Sequence, residues 1–330
     1  MTKNRHERLG LTNEDVIEMY KTMVLARKVD ERMWLLNRAG KIPFVISCQG
    51  QEAAQIGAAF ALDRKNDYIA PYYRDLGVVL AFGMTAKDLM LSAFAKAEDP
   101  NSGGRQMPSH FGQKKNRIIT GSSPVATQIP HAVGVALAAK MEKKQLASFV
   151  TLGEGSTNQG DFHEGLNFAG VHKLPVITMV ENNGYAISVP LEKQLACESV
   201  ADRGIGYGMP GFSIDGNDPL KVYEVVKEAR ERAIKGEGPS LIEVMTTRFT
   251  AHSSDDDDRV YRDRTEVDEA KKKDPIALFG SYLEDVQVLS VEAREAIHKE
   301  IDTIVNEATE YAEVAPYADP ESALQFVYEQ

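Results

Sequence analysis

A chain of 330 residues with formal net charge −11, 43% hydrophobic and 26% charged, has the make-up of an ordinary folded protein. Its apolar content disfavours a disordered chain, and it can bury about three quarters of its surface without disulfide staples, as one large domain or two smaller ones. It has no run near the roughly 18 apolar residues of a membrane helix, and no basic patch to offset its repulsion of nucleic acid.

The N-terminus is charged and lacks an apolar signal core, so a cytoplasmic setting is expected. Thr12 followed by Asp15 reads as a helix cap. Val16, Met19, Tyr20, Met23, Val24, Val29, Met33, Trp34 and Leu36 then form one apolar stripe on a long docking helix that Gly40 ends. Small-residue helices are expected over 51–62 and 128–141. A glycine inside a helix costs about 1 kcal/mol against alanine. Gly57 and Gly134 therefore imply close approach of another backbone, from a sheet, a partner subunit or a ligand.

Apolar runs at 147–152 and 175–180 read as strands joined by a helix over 159–172, a βαβ unit with parallel strands. Strands at 211–214 and 241–246 flank a helix over 219–235. The class is α/β with a mostly parallel sheet covered by helices. Residues 250–275 include Asp255 to Asp258 and few apolar groups, and read as a long exposed loop ordered by a ligand. Within it, Lys271, Lys272 and Lys273 read as a solvated helix start. Helices over 276–283 and 291–312 follow. A single domain is expected: a docking helix over 1–40, the core over 41–250, a mobile cofactor loop over 251–275 and C-terminal helices over 276–330. Cys48 and Cys197 have no paired spacing and read as free thiols.

The sharpest feature is Gly153-Glu154-Gly155 followed, 30 positions after Gly153, by Asn183. In an open parallel sheet, ligands bind beyond the carboxyl ends of the strands, so Glu154 and Asn183 converge from neighbouring strand ends. A carboxylate and an amide oxygen are hard ligands suited to Mg²⁺, which completes its shell with phosphates. The glycines let the main chain approach a phosphate, and the helix starting near Gln159 aims N–H groups at it. These residues describe a metal–diphosphate site.

This pattern resembles the thiamine diphosphate motif. Further segments resemble the alpha subunits of the decarboxylating first component of 2-oxoacid dehydrogenase complexes: 72–78 (YYRDLGV), 104–112 (GRQMPSHFG), 122–134 (SSPVATQIPHAVG), 181–188 (ENNGYAIS), 215–223 (DGNDPLKVY) and 250–256 (TAHSSDD). The stretches 104–112 and 122–134, with Glu154, lean toward the branched-chain members. The resemblance covers nearly the whole chain and implies a thiamine-diphosphate-binding fold with helical extensions at both ends. It implies Glu154, Asn183 and the Tyr185 carbonyl on Mg²⁺; Tyr73 and Arg74 on the diphosphate, where the planar fork of Arg74 suits phosphate oxygens; and main-chain contacts from Gly153 and Gly155. Ser123 and Val125 would lie by the cofactor rings, with Val125 as an apolar wedge. His252 would contact the diphosphate and face the reaction, and His110 would help in acyl transfer. Ser122, Pro124, Thr127 and Gln128 would hold K⁺. Ser253 matches the position phosphorylated in animal members.

One position departs from that pattern: Glu181 stands where animal branched-chain members place an arginine on the diphosphate. A carboxylate cannot pair with phosphate, so Glu181 is left out of the site; either another cation compensates or it points away. The resemblance further implies oxidative decarboxylation of a branched-chain 2-oxoacid and acylation of a lipoyl group on a transacylase core. The beta subunit of an α2β2 assembly would supply the missing catalytic glutamate. A pyruvate or acetoin first-component alpha subunit is the alternative within the family, and a scaffold subunit the alternative without chemistry. A nicotinamide dehydrogenase is disfavoured, because Asn158 stands where its Gly-x-Gly-x-x-Gly fingerprint needs a glycine.

Overall fold

The computed structural model describes residues 3–325. Its centre is a sheet of five parallel strands, β1 (Tyr68–Ala70), β2 (Ser148–Gly153), β3 (Val176–Asn182), β6 (Gly211–Asp215) and β7 (Ser240–Met245), in the order β1-β2-β3-β7-β6. A separate antiparallel hairpin joins β4 (Tyr185–Ala186) to β5 (Val189–Pro190). The helices in chain order are α1 (Arg5–Arg8), α2 (Asn13–Arg38), α3 (Glu52–Phe60), α4 (Leu76–Ala81), α5 (Ala86–Ala93), α6 (Gln128–Met141), α7 (Gly160–Val171), α8 (Arg203–Gly206), α9 (Pro219–Ile234), α10 (Arg264–Lys271), α11 (Pro275–Asp285) and α12 (Val291–Val314).

Strand side chains alternate between two buried clusters, as the period of two requires. Val150, Leu152, Val176 and Val180 pack with Ile129, Phe162 and Leu166 of α6 and α7. Phe149, Ile177, Met179, Ile242 and Val244 pack with Met23, Ile56, Leu220 and Val222 of α2, α3 and α9. All of β3 is buried, the signature of an interior strand covered on both faces. The sheet is therefore parallel and sandwiched by helices, as expected.

The cap of α2 forms as expected. The Thr12 hydroxyl accepts from the Asp15 N–H at 3.1 Å, and the Asp15 carboxylate accepts from the Thr12 N–H at 2.8 Å. The apolar stripe behind it is buried except for Trp34, which is half-buried. The two helical glycines differ. A Cβ on Gly57 would lie 2.5 Å from the Pro219 carbonyl oxygen, so α3 and α9 approach closely there. A Cβ on Gly134 would meet nothing within 4 Å, so among the described residues no backbone outside its own helix approaches it.

Residues 250–275 depart from the expected exposed loop. They contain α10, capped by Asp263, and bury both Ser253 and Arg262. Arg262 donates to the Arg248 carbonyl at 2.6 Å and to Glu266 at 2.8 Å, anchoring a segment that its few apolar residues could not hold. The lysine run also differs: Lys271 ends α10 and Lys272 caps it. Cations at a helix C-terminus complement its dipole. β1 and α4 add to the expected elements. Both cysteines are free. Among the described residues no helix is long and apolar enough to cross a membrane.

Candidate functional site

Four adjacent strands deliver their following residues to one place. β1 leads to Tyr73 and Arg74, β2 to Glu154 and Gly155, β3 to Asn183 and Tyr185, and β7 to Arg248 and His252. All of these residues except Arg248 border a cavity of about 400 Å³. Tyr73, Arg74, His110, Ser123, Val125, Gly153, Glu154, Gly155, Asn183, Tyr185 and His252 all line it, with apolar Phe44, Ile46, Met107 and Ile187. Ser122, Pro124, Thr127 and Gln128 lie outside the lining; the Gln128 amide donates to the Thr151 carbonyl at 2.8 Å. The backbone turns sharply there, with Ala126 at φ +70°.

On one side stand two oxygens without partners. Glu154 is buried, and its Oε2 accepts from the Asn183 N–H at 3.3 Å. Among the described residues, Glu154 Oε1 and Asn183 Oδ1 are each buried with no hydrogen-bond partner. A buried oxygen left unpaired costs about 1–3 kcal/mol, and two such hard donors fit a divalent cation such as Mg²⁺. Burial raises the Glu154 carboxyl above its ordinary pKa, while hydrogen bonds and Arg248 pull it back.

Two buried guanidiniums lie nearby, Arg74 in the cavity lining and Arg248 outside it. Arg74 donates to the Ser47 carbonyl at 2.5 Å, and its Cζ lies 5.5 Å from the Tyr73 ring centre. Arg248 donates to the Ile187 carbonyl at 3.0 Å and to the Tyr261 hydroxyl at 3.3 Å. The Nε of each is buried without a partner among the described residues, so Arg74, in the cavity lining, retains a donor for an anion. His252 sits between them, its Nδ1 3.4 Å from each. Guanidinium only donates, so Nδ1 is the acceptor and Nε2 carries the proton. Burial, then Arg74 and Arg248, push the His252 pKa down to about 4, against the pull of Asp256. The ring is neutral at pH 7.

At the mouth, His110 Nε2 lies 2.6 Å from the Ser123 hydroxyl, while Nδ1 lies 3.2 Å from the Met107 carbonyl. The carbonyl accepts, so Nδ1 holds the proton and Ser123 donates to Nε2.

The glycines take different parts. Gly153 has ordinary extended dihedrals, and a Cβ there would meet only the Tyr72 ring, at 3.9 Å. A Cβ on Gly155 would lie 2.5 Å from the Ala186 Cβ. Gly155 thus lets the β4–β5 hairpin close over the cavity. The α7 start does not face the cavity as expected; a 3₁₀ turn, Glu154–Asn158, intervenes, and the lining ends at Ser156.

Glu181 points away from the cavity lining. It is fully buried, and its Oε2 accepts from Gln51 at 2.8 Å, Gln55 at 3.0 Å and the Tyr72 hydroxyl at 3.2 Å. Burial, and then Glu181 beside it, lift the Asp75 carboxyl well above the usual range. Sequence reading missed Arg248 and Gln51. Arg248 had one usable signal, its place just beyond a strand end; Gln51 had none, being the polar first residue of an expected small-residue helix.

The sequence profile of the family described as "Dehydrogenase E1 component" matches residues 20–321. The chain is 71% identical to the 2-oxoisovalerate dehydrogenase subunit alpha of Bacillus subtilis (strain 168), covering 99% of both chains. It is 38% identical to the mitochondrial 2-oxoisovalerate dehydrogenase subunit alpha of Mus musculus, over 99% of this chain and 74% of the other. It is 37% identical to the pyruvate dehydrogenase E1 component subunit alpha of Bacillus subtilis (strain 168), over 97% and 84%. Membership implies thiamine diphosphate as cofactor, and a place as one subunit of an oxidoreductase complex. From its profile match and its full-length relatives, the chain belongs to the dehydrogenase E1 component family.

Proposed function

We propose that this chain is the alpha subunit of a cytoplasmic, thiamine-diphosphate- and Mg²⁺-dependent branched-chain 2-oxoacid dehydrogenase. It works with a beta subunit, as α2β2, and hands its acyl product to a lipoyl-bearing transacylase core. The observation that carries the reading is the pairing, in one cavity, of two oxygens without partners among the described residues (Glu154 Oε1, Asn183 Oδ1) with the buried Arg74 guanidinium, whose Nε has none either; Arg248 adds its charge from outside the lining. That charge pattern is complementary to a metal diphosphate.

Glu154, Asn183 and the Tyr185 carbonyl hold the cation. Arg74, Tyr73 and His252 hold the diphosphate, with main-chain contacts from Gly153 and Gly155, and Arg248 adds a second buried positive charge. Val125 and Ser123 border the cofactor rings, and Ser123 is steadied by His110. A K⁺ held by Ser122, Pro124, Thr127 and Gln128 would brace the turn at Ala126. Bound thiamine diphosphate supplies the carbanion chemistry of decarboxylation; this chain supplies binding, orientation and a dry wall. The neutral His252 presents its Nε2–H as a donor. The identity of 71% with a 2-oxoisovalerate dehydrogenase subunit supports the branched-chain substrate over pyruvate, whose matching relative is 37% identical.

The test is turnover of the chain co-purified with its beta subunit on 3-methyl-2-oxobutanoate and on pyruvate. Preference for the branched substrate is expected, together with no turnover by the chain alone. Preference for pyruvate would favour the alternative, and robust decarboxylation by the single chain would sink the two-subunit reading.

A further inference from the structure

Asn183 can serve a cation only if its amide presents Oδ1, and an amide in isolation has no preference for one end over the other. The geometry around it supplies one. Asn183 Nδ2 donates to Gln51 Oε1 at 3.1 Å, and the Thr246 hydroxyl donates to the same oxygen at 3.5 Å. Gln51 in turn donates through Nε2 to Glu181 Oε2 at 2.8 Å. Gln55 and the Tyr72 hydroxyl converge on that oxygen too. Three donors meet there, so Glu181 Oε2 can only accept. Gln51 must then turn its NH₂ toward Glu181 and its oxygen toward Asn183, and Asn183 must turn its NH₂ inward, leaving Oδ1 without a partner. Gln51, Glu181 and Asn183 are all buried, so water does not compete for these groups.

We propose that Gln51 is a positioning residue for Asn183, itself oriented by Glu181, and that the three form a one-way hydrogen-bond relay aiming Asn183 Oδ1 at the cation. This rests on the metal-site reading above. It also accounts for Glu181, since the residue that cannot touch phosphate sets the polarity of a ligand that touches the metal. Partners behind a first ligand are typically worth 10–100-fold in metal affinity.

The experiment is a Mn²⁺ titration, followed by electron paramagnetic resonance with thiamine diphosphate present, on the chain co-purified with its beta subunit. Gln51→Met, near in volume, should weaken Mn²⁺ binding about 10–100-fold. Glu181→Met should do the same. Glu181→Gln should stay within about threefold of the wild type, because its amide oxygen accepts from Gln51 while its NH₂ faces the Asp75 carboxyl, which stands beside Glu181. A merely structural role would not be rescued in metal affinity by this one exchange. Wild-type affinity in Gln51→Met, or equal damage from Glu181→Gln and Glu181→Met, overturns the relay. Should Gln51→Met fail to fold, the Glu181 pair decides alone. Glu154→Ala separates the two levels: if it leaves Mn²⁺ binding intact, the metal site itself is wrong; if it abolishes binding while Gln51→Met does not weaken it, only the relay is wrong.

Discussion

Gly155→Ala is the most quantitative substitution that the structure offers. The added Cβ would lie 2.5 Å from the Ala186 Cβ and 3.3 Å from its Cα. Carbon pairs rest at about 3.5–4.0 Å, so β4 must retreat by roughly 1 Å or more. Overpacking of this kind costs about 1–3 kcal/mol, a fall of several degrees in the melting temperature of the cofactor-free protein. The displaced hairpin carries the Tyr185 carbonyl, and a 1 Å misplacement near the chemistry can cost about 100-fold in rate. Gly153→Ala is the control. Its Cβ meets only Tyr72 at 3.9 Å, an ordinary contact, so the cofactor-free melt should be unchanged. Filling the cavity should still weaken thiamine diphosphate binding. Differential scanning calorimetry without cofactor and calorimetric titration with it read both quantities. Equal melting temperatures for Gly155→Ala and wild type would refute the claim that this glycine exists to admit the hairpin.

Further outcomes follow from the same geometry. Because the His252 pKa is depressed to about 4 from the ordinary value near 6.5, its contribution to stability is full above about pH 6.5 and is lost as pH falls toward 4. The melting-temperature advantage of wild type over His252→Asn should therefore shrink across that window in cofactor-free protein; an advantage independent of pH would contradict it. Burial raises the Glu154 pKa, and only the carboxylate ligates a cation, so Mn²⁺ affinity should weaken on acidification, beginning above the ordinary carboxylate range. Gly134→Ala should leave the isolated chain as stable or up to about 1 kcal/mol more so in urea melts, since its Cβ meets nothing within 4 Å among the described residues. The same exchange should impair co-elution with the beta subunit if a partner helix packs there; unchanged co-elution removes α6 from the interface. Gly57→Ala, 2.5 Å from the Pro219 carbonyl, should destabilise the fold by about 1–3 kcal/mol without altering Mn²⁺ affinity.

What could be read from the residues alone follows their range of action. The βαβ unit was legible because its apolar spacing is local and the glycine and asparagine motifs punctuate it. β1 is three residues long and carries too little pattern to stand out. α10 lies in acidic sequence whose order comes from Arg262 reaching the Arg248 carbonyl, 14 positions away, which no window along the chain reveals. Glu181 could be kept off the phosphate by charge alone, but its engagement with Gln51, 130 positions earlier, needed the fold. Arg248 belongs with the same group: a lone arginine acquires meaning only when the sheet order puts β7 next to β3.

That sheet order also constrains when the protein can be loaded. Asn183 finds Gln51 across 132 positions, and Arg74 finds His252 across 178. β7, which leads to His252, is inserted beside β3 after being made later than β6. A chain emerging from the ribosome folds from its N-terminus, yet the last wall of this cavity stays unmade until residue 252 has been synthesised. Cofactor capture therefore waits for residue 252, and truncated products that end before β7 should be unable to sequester the coenzyme.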